Sequence, residues 1–218
     1  MLFRSEDLIS EGRYDEAIRE LDRALAINKD LPIGYFYRGT IYSLKNELDK
    51  ALADLSTAIS INPNTNVAAY YNRGTVYFQK RDFENAIADF TVTLMVEPDY
   101  VDALNNRGIT YTYKGDHYRA IEDYNAVLRV KPNSYEALNN RGSSYIQIRD
   151  FDSAIADFNA VLRLKPDFHD ALSNRGTAYY YKGDFDRAIT DWETVLRSNP
   201  THTAARQGLD MARRDRGY

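Results

Sequence analysis

The sequence predicts an all-α protein assembled from stacked helical hairpins, and three observations carry the prediction. The tripeptide Asn-Arg-Gly returns at residues 72, 106, 140 and 174, so Gly74, Gly108, Gly142 and Gly176 stand 34 residues apart. An alanine follows each glycine by twelve positions and a proline follows each alanine by twelve more, which punctuates every half repeat. Between these marks apolar residues recur at three-and-four spacing, as in Ala188, Ile189, Trp192, Val195 and Leu196, one face of an amphipathic helix. A hairpin of this length is too thin to bury its own apolar face, so successive hairpins must stack.

Residues 1–202 divide into six tandem repeats of two helices each. The first, 1–31, enters at its fourth position with Met1 and carries Ala17 but no proline in register, so it reads as slightly clipped, at a native start or at a fragment boundary. The second, 32–66, is marked by Gly39, Ala51 and Pro63, with one extra residue in the Asn64-Thr65-Asn66 turn. Repeats 67–100, 101–134, 135–168 and 169–202 follow, each with its glycine, alanine and proline. Asp82, Asp116, Asp150 and Asp184 stand where the N-cap of a second helix belongs. Asp99, Asn133, Asp167 and Thr201, each directly after a proline, are the expected caps of the next first helix. Residues 203–218 place Ala205, Leu209 and Ala212 on one side and charges on the other, a capping helix that covers the open end of the stack.

Composition narrows the function. With 44% hydrophobic and 28% charged residues the chain can bury a core. No apolar run approaches the roughly 20 residues that cross a bilayer, and the start lacks a leader pattern. The expected location is the cytoplasm, or the periplasm or exterior if a leader has been removed. The absence of cysteine excludes disulfides and thiolate chemistry, and a charge of −4 argues against a general nucleic-acid binder.

The register resembles the tetratricopeptide repeat family, in the Asn-Arg-Gly variety. It has a small residue at repeat position 8, Tyr42, Tyr77, Tyr111, Tyr145 and Tyr179 at position 11, alanine at 20 and proline at 32. Position 24 holds Phe90, Tyr124, Phe158 and Trp192, with Leu21 and Leu55 as departures. The resemblance implies a right-handed α-solenoid, a superhelix of helix-turn-helix hairpins whose first helices line a concave groove. It also implies a non-catalytic protein-protein interaction scaffold that binds an extended partner segment. Two alternatives stay open: a self-assembling or fragmentary superhelix that recruits within a larger protein, and an RNA-binding helical repeat, which would need a basic groove.

Two ladders run through the register. Arginine holds position 7 as Arg4, Arg38, Arg73, Arg107, Arg141 and Arg175, and an acid holds position 23 as Glu20, Asp54, Asp89, Asp123, Asp157 and Asp191. Position 7 points away from the first-helix face made by 2, 5, 6, 9 and 13, so a structural arginine-carboxylate ladder is expected. The second ladder is Asn72, Asn106, Asn140 and Asn174 at position 6, reinforced by Asn105 and Asn139. On the face that the resemblance assigns to the groove, such carboxamides could bond successive peptide groups of an extended segment, or simply solvate a helix surface. Asp102, Glu136 and Asp170 at position 2 and Phe36, Tyr71, Phe78, Tyr113, Tyr180 and Tyr181 complete the expected groove, part of them as ordinary packing. Lysine and arginine are missing from positions 2, 5 and 6, which disfavours the terminal-carboxylate clamp known in the family and favours a neutral or weakly basic segment.

No catalytic, metal or cofactor site is expected. His117, His169 and His202 share no metal-ligand spacing, and phosphate loops and nucleophile elbows are absent.

Overall fold

The computed structural model describes the backbone of residues 2–63 and 67–217, and the side chains of these apart from residues 2–4 and 6. The side chain of Arg4 and the Asn64-Thr65-Asn66 turn lie outside the described residues. Among these, the secondary structure is entirely helical: α1 Leu2–Ser10, α2 Tyr14–Ile27, α3 Pro32–Leu44, α4 Leu48–Ile61, α5 Val67–Gln79, α6 Phe83–Val96, α7 Val101–Tyr113, α8 His117–Val130, α9 Tyr135–Gln147, α10 Phe151–Leu164, α11 His169–Tyr181, α12 Phe185–Ser198 and α13 Thr203–Asp215. No helix among the described residues is long and apolar enough to cross a membrane.

The short connection inside each hairpin has one recipe. Repeat position 15 adopts a left-handed conformation at Gly12, Asn46, Arg81, Gly115, Arg149 and Gly183, with φ between 61° and 80°. This stops the first helix and bonds its last carbonyls, as in Asp116 N–H to Tyr111 C=O at 2.9 Å. In four of these hairpins the next residue then caps the second helix through its side chain, whereas Arg13 and Glu47 hold the cap position of α2 and α4 without such a bond. Asp82, Asp116, Asp150 and Asp184 each accept from the backbone N–H three residues on, at 3.1–3.3 Å.

The first helices begin later than the sequence reading placed them. Ser134 and His202, through Oγ and Nδ1, cap α9 and α13 by accepting from the N–H of Ala137 and Ala205, and Phe168 holds the cap position of α11 without a side-chain bond. Asp99, Asn133, Asp167 and Thr201 are therefore not the caps. Each is held as the third residue of a four-residue turn with proline second, closed by bonds such as Ser134 N–H to Lys131 C=O at 3.1 Å and His202 N–H to Asn199 C=O at 3.1 Å. Proline's fixed φ suits the second position of such a turn, and its follower is spent there before the helix starts.

Two compact units divide the chain, Met1–Thr110 and Tyr111–Tyr218. In the first, α1 to α6 pack each on the next, and the core gathers Leu8, Ala17, Leu21 and Ile41 in one cluster and Ala51, Leu55, Ala58, Ala69 and Val76 in another. In the second, α8 to α13 do the same around Phe158 and Trp192. Close approach inside a hairpin depends on the position-8 glycine. A Cβ added at Gly142 would stand 2.9 Å from the fully buried Phe158 ring, and one at Gly74 2.8 Å from Phe90. The last hairpin is closed by α13, where Ala205, Leu209 and Ala212 are buried and Gly208 lies flat against the Trp192 indole.

Candidate functional site

In four hairpins the interval of 16 residues between positions 7 and 23 sets a first-helix arginine against the second-helix acid. Arg141 donates through Nε and Nη2 to the two carboxylate oxygens of Asp157 at 2.8 and 2.6 Å. Arg38 on Asp54, Arg73 on Asp89 and Arg175 on Asp191 repeat this fork at 2.6–2.9 Å. The hydrogen bonds they donate to the carboxylates hold all four guanidinium groups above the ordinary arginine range. Burial raises the Asp157 carboxyl above its ordinary range, although Arg141 opposes the shift. Asp123 is likewise buried, on α8. Glu20 pairs with Arg23 of its own helix at 2.9 Å.

The arginines have a second partner that the sequence reading missed. Nη1 reaches back to the second helix of the preceding hairpin: Arg38 to Asp22, Arg73 to Ser56, Arg107 to Thr91, Arg141 to Asn125 and Arg175 to Asn159, at 2.6–3.1 Å. All five acceptors occupy repeat position 25, so the signal was a polar residue recurring one place after the aromatic. Glu193 continues the series and takes Arg213 of α13 at 2.8 Å. Arg38, Arg73, Arg141 and Arg175 thus each join their own hairpin and tie it to the one before.

The asparagine row is partly spent in the same way. Asn72 donates Nδ2 to Thr40 Oγ1 at 2.9 Å, Asn106 to the Tyr71 hydroxyl at 3.1 Å and Asn174 to Ser143 Oγ at 3.4 Å. Each bond crosses from one first helix to the preceding one. Asn105 and Asn140 are half-buried on α7 and α9, and Asn139 has a buried Oδ1 without a hydrogen-bond partner among the described residues.

The other expected groove residues separate by environment. Asp102, Glu136 and Asp170 are exposed in the first turns of α7, α9 and α11, where carboxylates complement the helix dipole. Tyr71 packs on Phe90 and Tyr100, and burial raises its phenol pKa. Tyr180 is taken by α13: its hydroxyl donates to Asp215 at 2.5 Å and its ring lies against Phe185 and Trp192. Tyr113 and Tyr181 remain 62% and 57% exposed, Tyr181 stacked on Phe151.

Each unit also holds a crevice between successive first helices. In the first unit Thr75, Phe78, Gln79, Phe90, Asn106 and Ile109 line a volume of about 320 Å³. In the second, Ile146, Gln147, Arg149, Phe151, Thr177 and Tyr181 line about 420 Å³. Gln79 and Gln147 share repeat position 13, and Ile109 and Thr177 share position 9; the register alone could have pointed to them. Among the described residues no cluster of acids and histidines could hold a metal ion. His169 shares a hydrogen bond with Ser198, and His202 is a helix cap.

Hairpins tied by a repeated arginine fork define a helical-repeat protein. The chain belongs to the tetratricopeptide repeat family: the family's profiles match residues 101–134, 135–168 and 169–202, and, as a repeat array, residues 6–46 and 39–81. The structure is similar to that of YrrB, described as a tetratricopeptide repeat protein with an unusual peptide-binding site, at 25% identity and a TM-score of 0.78 over 86% of this chain and 96% of that one. MamA gives 24% identity and a TM-score of 0.69 over 73% and 86%. A tetratricopeptide repeat protein from Parabacteroides merdae gives 22% and 0.73 over 100% and 92%. No curated protein matches the chain.

Proposed function

We propose that the protein is a non-catalytic interaction scaffold that holds an extended segment of a partner protein on the first-helix face of its units. The observation that carries this reading is the crevice found at the same register in each unit. Each has an apolar floor, Phe78, Phe90 and Ile109 in one and Ile146 and Phe151 in the other, beside a carboxamide from Gln79 or Gln147. An extended segment presents alternate side chains to a surface and peptide groups between them. The apolar floors suit the side chains and the amides suit the peptide groups. Asn72, Asn106 and Asn174 each spend one of two Nδ2 N–H donors on a neighbouring helix, so a second N–H and the carbonyl oxygen are what they offer to a ligand's peptide groups. YrrB's peptide-binding site supports the same reading. The rigid stack would supply the preorganisation that makes such binding affordable in entropy.

The test is selection of a displayed random-peptide library on the intact chain, beside a variant with alanine at Asn72, Asn106, Asn140 and Asn174. Circular dichroism melts establish that both fold. Peptides retained by the intact chain and lost by the variant support the reading. A library that yields nothing, or the same peptides from both, overturns it.

A further inference from the structure

A second surface lies away from the asparagine row, at the C-terminal ends of the second helices in the unit Tyr111–Tyr218. Arg129, Arg163 and Arg197 occupy repeat position 29, and Lys131 and Lys165 occupy position 31. All five are exposed, and among the described residues none forms an ion pair; Lys165 lies over the Tyr135 ring and Arg197 bonds Thr194. Other cations of this unit sit on carboxylates: Arg119 on Asp116, Arg175 on Asp191, Arg187 on Asp184 and Arg213 on Glu193. Unpaired cations therefore gather at positions 29 and 31, and Arg149, Arg206 and Arg214 are the others of this unit that form no ion pair among the described residues. Between them stand two exposed aliphatic side chains, Val130 at 42% and Leu164 at 43%.

Helix-end electrostatics do not account for this row. A cation in the last turn complements the helix dipole, and every second helix has the same need. Yet α8, α10 and α12 carry Arg129, Arg163 and Arg197 there, while the last turns of α2, α4 and α6 hold no basic residue. Lys131 and Lys165 stand one residue past their helices. The two units differ in overall charge as well: Met1–Thr110 holds twelve Lys and Arg against seventeen Asp and Glu, and Tyr111–Tyr218 sixteen against fifteen.

We infer that this row is a docking surface for an acidic, aliphatic-bearing segment of a partner protein. Charge complementarity selects an anionic occupant, and Val130 and Leu164 between the cations select one with apolar side chains. A nucleic acid or an anionic membrane is disfavoured. The unit's small net charge provides little long-range field for a polyanion, and exposed Asp167 stands two residues beyond Lys165, whose charge also acts on Glu136. A short segment touches only the cations themselves.

The probe is a fluorescein-labelled peptide of repeated Glu-Glu-Leu, titrated with the full chain by anisotropy at low and at moderate salt. A Lys-Lys-Leu peptide, a single-stranded oligonucleotide and phosphatidylserine-containing vesicles serve as comparisons. The expected result is binding of the acidic peptide alone, weakened by salt. It should fall at least about tenfold in an Arg129→Glu, Arg163→Glu, Arg197→Glu variant that melts like the native chain. An Arg-to-Lys variant at the same three positions should retain it. The four-asparagine variant should also bind fully, which separates this surface from the one proposed above. The inference is overturned if the acidic peptide does not bind at low salt or binds the charge-reversed variant equally. Oligonucleotide or vesicle binding without peptide binding overturns it, as does a native mass that rises with concentration only while the arginines are present.

Discussion

The fork at Arg141 and Asp157 allows the role of the charge ladder to be weighed. Replacing Asp157 by alanine removes the acceptors at 2.8 and 2.6 Å and leaves a guanidinium whose side chain is only 20% exposed, held at its far end by Asn125. Stranding one member of a fully buried pair costs about 3–5 kcal/mol, and partial exposure of Arg141 reduces this to about 2–4 kcal/mol. Replacing both partners by apolar residues of similar volume, Arg141→Met with Asp157→Leu, removes the stranded charge and its desolvation together. The double variant should lie within about 1 kcal/mol of the native chain. Urea unfolding followed by circular dichroism on the native, two single and double variants gives the coupling energy directly. A single variant that loses less than about 1 kcal/mol would show that solvent reaches the arginine freely. A double variant as unstable as the sum of the singles would refute the argument that stranding, rather than loss of the bond, sets the cost.

Gly142→Ala should destabilise by about 1–2 kcal/mol in the same urea assay, because the added methyl group meets the Phe158 ring at 2.9 Å and overpacking outweighs alanine's better helix propensity. Tyr124 predicts an alkaline limit: burial pushes its phenol up to about 12 from 10.0. The folded state thus holds the proton more tightly, so this contribution is complete below about pH 10 and is lost as pH rises to about 12, on the order of 2–3 kcal/mol in all. Tyr124→Phe, which matches Phe90 and Phe158 at the same register, should remove that part of the loss in melts compared across this range; an unchanged difference would refute it.

Much of the architecture was legible in the sequence because the features that set it are local. A helix start at Asp116 or Asp184 needs only a carboxylate three residues before an N–H, and the helix ends need only a proline or a residue that tolerates positive φ. The spacing from Arg141 to Asp157 spans one hairpin, so it too could be read from the chain. What failed was finer and still local in part. Asn133 and Asp167 have cap chemistry, yet the prolines before them commit both to turns, and the caps fall one residue on.

Contacts between successive hairpins depended on the stacked structure. Position 25 reads as an unremarkable polar site until the preceding hairpin brings Asn125 to the free Nη1 of Arg141. Tyr180 reads as a groove aromatic until α13 brings Asp215 to its hydroxyl. Arg129 and Arg163 look like any other charges in the chain, and only the stack leaves them exposed and without carboxylates while others are paired. Sequence by itself determined the repeat, the helices and their turns, since these rest on interactions within a few residues or one hairpin. Tertiary structure decided which polar groups are spent and which remain for a partner, because that depends on what the neighbouring hairpin places within hydrogen-bond reach.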